Sequence, residues 1–216
     1  MNSYSEILRY MGHSGEVSTQ LEEMISSCRE KLASVCAPHH VTMQLPCTVD
    51  GNRISIGALD IESAFLAAYL SGCEQVYMLA ATLGSSVDRL IAQRVKIDSA
   101  EALCLQACAA SQIEEYCNRV EQKLSCEIEQ QGMYLRPRFS PGYSDFDIAH
   151  QTDLLHMLQA HKRIGLSETK SHMLTPLKSV TAVIGISAQA CPSAAKDKCA
   201  GCIKADCQFS NKEFEQ

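Results

Sequence analysis

The sequence predicts an α+β fold, with helices packed on a twisted, largely antiparallel sheet. Three observations carry that expectation. Apolar residues fall at helical spacing in several long stretches and alternate in others. The predicted order β, β, α, β, α, α, α, β, β does not alternate strictly enough for a doubly wound sheet. Of 216 residues, 46% are hydrophobic, which allows one sizeable core. Composition shifts toward Cys, Pro, Lys and Asp from Ala188, so residues 1–187 read as one domain and 188–216 as a cysteine-rich tail.

Leu21, Met24, Ile25, Cys28, Leu32 and Val35 place a helix over about 17–35. His40 to Cys47 alternates as a strand, Val49-Asp-Gly-Asn52 signals a turn, and residues 53–57 form the return strand. Asp60 is the expected cap of a helix over 61–70, ended by Ser71-Gly72. Residues 74–84 read as a buried strand, and Ser85 or Ser86 opens a helix to about Arg94. Asp98 or Ser99 then starts a long helix reaching about Gln130. A loop from Arg136 to Asp147 leads into a helix over about 148–162, and strands over 168–174 and 179–187 close the domain.

Lys and Arg number 19 against 25 Asp and Glu, a formal net charge of −6 that argues against nucleic acid as a partner. No window approaches the roughly 18 apolar residues that span a bilayer. The start, Met1-Asn-Ser-Tyr-Ser-Glu-Ile-Leu-Arg9, lacks the basic and apolar regions of a signal peptide, so a cytoplasmic location is expected. Gly-x-Gly-x-x-Gly and the Walker A pattern are both absent.

Arg136-Pro-Arg-Phe-Ser-Pro-Gly-Tyr143 has the makings of a ligand loop. A guanidinium suits a carboxylate, Pro141-Gly142 suits the centre of a type II turn, and an aromatic ring follows. On its own the segment is also a plain turn whose tyrosine packs on the core. Thr82 and Ser179 sit at strand ends, where each reaches a ligand or satisfies backbone. His150, His156 and His161 share a predicted helix but lack the four-residue spacing of a paired metal site. No nucleophile–base pair is visible.

The order Arg-x-x-Pro-Gly-Tyr, an amphipathic helix, then Pro176-x-x-Ser179-Val180 running into a strand resembles the activation domain of cobalamin-dependent methionine synthase. Glu6-Ile-Leu-Arg-Tyr10, Leu70-Ser-Gly-Cys-Glu74 and Ala81-Thr-Leu-Gly84 look like the shorter, stand-alone versions of that domain. The resemblance implies S-adenosylmethionine binding in support of reductive remethylation of cobalamin. The cobalamin would be carried by a methionine synthase or other corrinoid protein. It further implies that Arg138, five positions before the tyrosine, pairs with the methionine carboxylate, while Ser140, Gly142 and Tyr143 line the site. Arg136 stands at the wrong distance. The family's acid on the long helix aligns with Ser111, with Glu114 and Glu115 nearby, so no acid is assigned.

Eight of twelve cysteines are scattered through apolar patterns and read as small buried hydrophobes. Cys191, Cys199, Cys202 and Cys207 fall within 17 residues, a donor set for zinc or an iron–sulfur cluster that ligand type alone does not separate. The plainer reading is a redox-active Cys-x-x-Cys pair, but four closely spaced cysteines exceed what a dithiol needs, so a metal centre is expected. A cluster would let the chain pass an electron to a corrinoid from a flavodoxin- or ferredoxin-type reductant. The alternative function is therefore a metal or iron–sulfur electron-transfer adaptor that docks on a corrinoid protein without an S-adenosylmethionine site of its own.

Overall fold

This computed structural model describes residues 3–189. Their elements are α1 (Ser3–Tyr10), α2 (Thr19–Val35), β1 (His39–Asp50), β2 (Arg53–Ile56), β3 (Leu59–Glu62), α3 (Ala64–Tyr69), β4 (Cys73–Thr82), α4 (Ser85–Val95) and α5 (Ser99–Glu129). There follow β5 (Tyr134–Leu135), α6 (His150–Met157), α7 (Ala160–Ile164), β6 (Ser167–Glu168), β7 (Leu174–Thr175) and β8 (Ser179–Ser187). Six strands form one antiparallel sheet in the order β3-β2-β1-β4-β8-β5, and β6 and β7 form a separate hairpin. No helix among the described residues is long and apolar enough to cross a membrane.

The central strands β4 and β8 are buried on both faces, which explains their near-continuous apolar runs. Tyr77, Leu79 and Ala81 of β4, with Ile184 and Ile186 of β8, meet a core built by α1, α2, α4 and α5. The alternate residues Val76, Met78, Ala80 and Val183 meet α3, α6 and α7 on the other face. Gly185 marks a close approach on that second face. A Cβ there would lie 2.8 Å from Cys73 Sγ and 3.0 Å from Leu70 Cδ2. Gly185→Ala is therefore expected to cost about 1–3 kcal/mol by overpacking, read as a lowered midpoint in urea unfolding.

Most elements follow the sequence reading, and the departures have local causes. Leu59-Asp-Ile-Glu62 is a strand and not a helix start: Leu59 and Ile61 are buried while Asp60 and Glu62 are exposed. The cap of α3 is consequently Ser63, whose Oγ accepts from the Leu66 amide at 2.9 Å, and not Asp60. The helix expected over 148–162 is broken in two, because Gln159 adopts a left-handed conformation between α6 and α7. The strand expected over 168–174 shrinks to the tips β6 and β7, joined by a turn in which the Thr169 amide donates to the Met173 carbonyl.

All eight scattered cysteines are free thiols; six are buried, Cys36 is half-buried and Cys126 is exposed. Burial and the neighbouring Cys73 push the Cys47 thiol up to about 11, so it remains a neutral packing group at ordinary pH. The four tail cysteines lie outside the described residues.

Candidate functional site

The segment after β5 continues along β8 until it slips by one residue. Arg136 stands opposite Gly185, to whose carbonyl its amide donates at 2.8 Å, and Phe139 pairs with Val183. Pro137 and Arg138 together therefore face one residue, Ile184, which is a β-bulge. Pro137 suits that place because it has no N–H to leave unpaired. The bulge aims the two arginines at opposite faces of the sheet. Arg136 reaches the Ser71 carbonyl at 2.8 Å and Cys73 Sγ at 3.2 Å, beside α3. Arg138 crosses to α5.

On α5, Glu114, Asn118 and Glu121 fall at four- and three-residue spacings, hence on one helix flank. The Arg138 guanidinium donates to Glu114 at 2.5 Å, to Asn118 Oδ1 at 2.9 Å and to Glu121. Its side chain is 5% exposed, against 28% and 22% for the two glutamates. The acids raise the guanidinium's pKa against the opposing pull of burial, so it stays charged.

Next to this cluster stands α1. Its Glu6 accepts from Ser111 Oγ at 3.2 Å and lies 3.7 Å from Arg9, whose guanidinium sits 5.0 Å from the Tyr10 ring centre. Burial pushes the Tyr10 hydroxyl up to about 12, with Glu114, Glu6 and Tyr143 adding to the rise. Glu6, Arg9, Tyr10, Ser111, Glu114, Glu121, Arg138 and Tyr143 thus share one neighbourhood. Sequence reading missed Glu6, Arg9 and Tyr10 as site residues, because contact between α1 and α5 spans about a hundred positions. Glu121 it could have found, from helical spacing alone.

The turn itself forms as expected: the Tyr143 amide donates to the Ser140 carbonyl at 3.3 Å, and Gly142 has φ of +88°. That angle suits the third position of a type II turn. A Cβ on Gly142 would also meet Ile148 Cδ1 at 3.2 Å. Tyr143 is 60% exposed, while Phe146 is 1% exposed and stacks on Phe139 and His150 at centroid distances of 6.3 and 5.7 Å. The loop is therefore anchored by Phe146 and presents Tyr143 outward.

Asp145 ties the loop to α3, accepting from Ser63 Oγ at 2.5 Å and from the Ala64 and Phe65 amides at 2.7 and 3.2 Å. The Ser63 bond and these amides hold its carboxyl below its ordinary value. Its contribution is complete above the ordinary carboxylate value near 3.9 and is lost as pH falls through the depressed folded value. Asp145→Ala is expected to cost about 1 kcal/mol at pH 7, as loss of a cap does, and less at pH 3. Thermal melts at the two pH values measure the difference.

Other polar residues are engaged locally. Ser179 Oγ lies 2.8 Å from Thr82 Oγ1 and 2.6 Å from the Pro176 carbonyl. Among the described residues, no cluster of His, Cys, Asp and Glu could hold a metal ion. An open groove of about 360 Å³ lies between the β1–β2 turn and α3, lined by Gly51, Asn52, Ala67 and Ser71 among others. It lies on the sheet face away from Glu114 and Glu121 and brings no charged side chain.

No protein-family model matches the chain, and no curated protein matches it. Among solved structures, it is similar to the MetH reactivation domain bound to AdoHcy, with a TM-score of 0.65 and 15% sequence identity. The match covers 89% of this chain and 72% of that one. The likeness is one of fold: a mixed domain whose six-stranded antiparallel sheet and flanking helices are similar to those of the MetH reactivation domain.

Proposed function

We propose that the chain is an S-adenosylmethionine-binding reactivation module. It would support reductive remethylation of cobalamin on a B12-dependent methionine synthase or related corrinoid methyltransferase. The observation that carries this reading is the charged cluster beside the Ser140–Tyr143 turn, on a fold similar to a domain solved with AdoHcy bound. Glu6, Glu114 and Glu121 against Arg9 and Arg138 leave one negative charge in excess. S-adenosylmethionine joins an amino-acid zwitterion to a sulfonium and so brings one positive charge, which this balance suits.

In this reading Arg138 anchors the methionine carboxylate. Its bonds to Asn118, Glu114 and Glu121 leave the Nε–H and one Nη2–H uncommitted among the described residues. Ser140 and Gly142 contribute backbone, and the exposed Tyr143 ring covers the ligand. The cobalamin belongs to the partner, and the chain contributes positioning and electrostatics. Calorimetric titration with S-adenosylmethionine tests the reading. Saturable binding that weakens in Tyr143→Ala supports it; no heat, even with the corrinoid partner added, removes it.

The three partners that Arg138 already holds favour a second reading, in which that arginine is purely structural. The chain is then an electron-transfer adaptor whose working part is the tail. Four thiolates from Cys191, Cys199, Cys202 and Cys207 fit zinc or an iron–sulfur cluster equally by donor chemistry. A flavodoxin- or ferredoxin-type reductant would supply the electron. Anaerobic purification with absorbance and metal analysis separates the two: one zinc and no iron removes electron transfer.

A further inference from the structure

Along β1, only Cys47–Asp50 pair with β2, whereas His39–Pro46 pair with β4 on the inner side. Among the described residues no strand covers the outer side of His39–Leu45. Alternate residues of an antiparallel strand aim their backbone groups to opposite sides. The Pro46 carbonyl accepts from the Gly57 amide on the outer side, so the backbone groups of His40, Thr42 and Gln44 point outward too. Such an edge is a template for strand addition.

A positively charged wall stands over that edge. His40 Nδ1 lies 2.8 Å from Tyr116 Oη, their rings 5.7 Å apart. Arg119 lies over the Tyr116 ring at 5.9 Å, and Lys123 follows one helical turn later. Among the described residues, no ion pair involves Arg119 or Lys123, although Glu115 and Glu127 share the helix. At about 100° per residue, Tyr116, Arg119 and Lys123 occupy the flank of α5 opposite to Glu114, Asn118 and Glu121. The buried stripe of Ile113, Cys117, Val120 and Leu124 lies between them. A chain of net charge −6 thus sets two cations that make no ion pair among the described residues beside its open strand edge, with Glu115 and Glu127 at the two ends of the row.

We propose that the outer edge of β1 from His40 to Gln44 takes up an extended acidic peptide segment of a partner protein as an added strand. Its carboxylates meet Arg119 and Lys123. Alternate residues of an extended strand stand about 7 Å apart, close to the roughly 6 Å between helix residues one turn apart. One face of an incoming strand can therefore serve both cations. A second copy of this chain would oppose like charges across the same edge. A nucleic acid has no peptide groups to pair with those of the edge.

The proposal is independent of the ligand reading, and its probe is a labelled nine-residue peptide of alternating glutamate and valine, titrated into the full chain. Expected are saturable binding that weakens with salt and perturbed amide resonances at His40, Thr42 and Gln44. Arg119→Gln combined with Lys123→Gln should weaken binding about tenfold or more, and adds no like-charge pair to α5 that would lower the melting temperature. Thr42→Pro removes an outward N–H, leaves the β4 ladder intact, and should weaken binding as well. The same peptide methylated on alternate backbone nitrogens, which alters no protein residue, should not bind. The proposal is overturned by absence of binding, by equal binding of the methylated peptide, or by equal competition from an oligothymidylate.

Discussion

Arg138→Ala is expected to lower the free energy of unfolding by about 2–3 kcal/mol and to abolish calorimetric binding of S-adenosylmethionine. The stability loss follows from what the alanine leaves behind. Glu114 and Glu121, both held by the nearly buried guanidinium, become two like charges on one helix flank with the bulged segment unfastened beside them. Each glutamate retains some contact with water, which puts the cost below that of stranding a wholly buried charge. A compensating set separates structure from recognition. Arg138→Met with Glu114→Gln and Glu121→Gln should recover most of the lost stability and none of the binding. Recovery of binding in that triple variant would contradict the role of Arg138 as ligand anchor, and an unchanged melt in Arg138→Ala would contradict the structural account.

Phe146→Ala should be the most destabilising single change in the loop, at about 3–5 kcal/mol. The ring is 1% exposed and lies among Phe139, His150 and the core of α3 and α6, so its removal leaves a cavity that those neighbours fill poorly. The Phe146 carbonyl also accepts from the Gly142 amide at 2.7 Å, linking the anchor to the turn. For a domain of this size the melting temperature should fall by roughly 10 °C, read by calorimetry. Any ligand affinity that depends on the turn should fall with it. Tyr143→Ala, by contrast, removes an exposed ring and should leave the melt within about 0.5 kcal/mol of the parent.

These two phenylalanine and arginine positions also show where sequence reading stops. The long helix was legible because Asp98 caps it through the Ala100 and Glu101 amides and its apolar stripe persists over 31 residues. The Pro141-Gly142 turn was legible from backbone preference alone. The short strand β3 was not, because four alternating residues compete with a plausible helical pattern over the same stretch. Nor was the break at Gln159, where a non-glycine residue takes φ of +50° under tertiary constraint. The slip between Arg136 and Phe139 leaves no local mark beyond a proline. The acidic partners of Arg138 are not singled out by the sequence, because Glu114, Glu115 and Glu121 all follow Ser111 along α5 and only the packed fold shows which of them the arginine meets. Glu6 arrives from the far end of the chain, a pairing that only the packed fold displays.

The opposed flanks of α5 make the charge on this side of the molecule uneven across the helix. One flank carries one negative charge in excess around Arg138, and on the other Arg119 and Lys123 stand outside any ion pair among the described residues. The helix is about 46 Å long at 1.5 Å per residue, and its acidic and basic flanks are fixed to one rigid rod. A charged body approaching this side experiences a torque as well as an attraction, and is turned before it touches. At physiological ionic strength that torque acts within roughly 8 Å of the surface, so added salt should slow productive encounter through lost orientation as well as lost attraction.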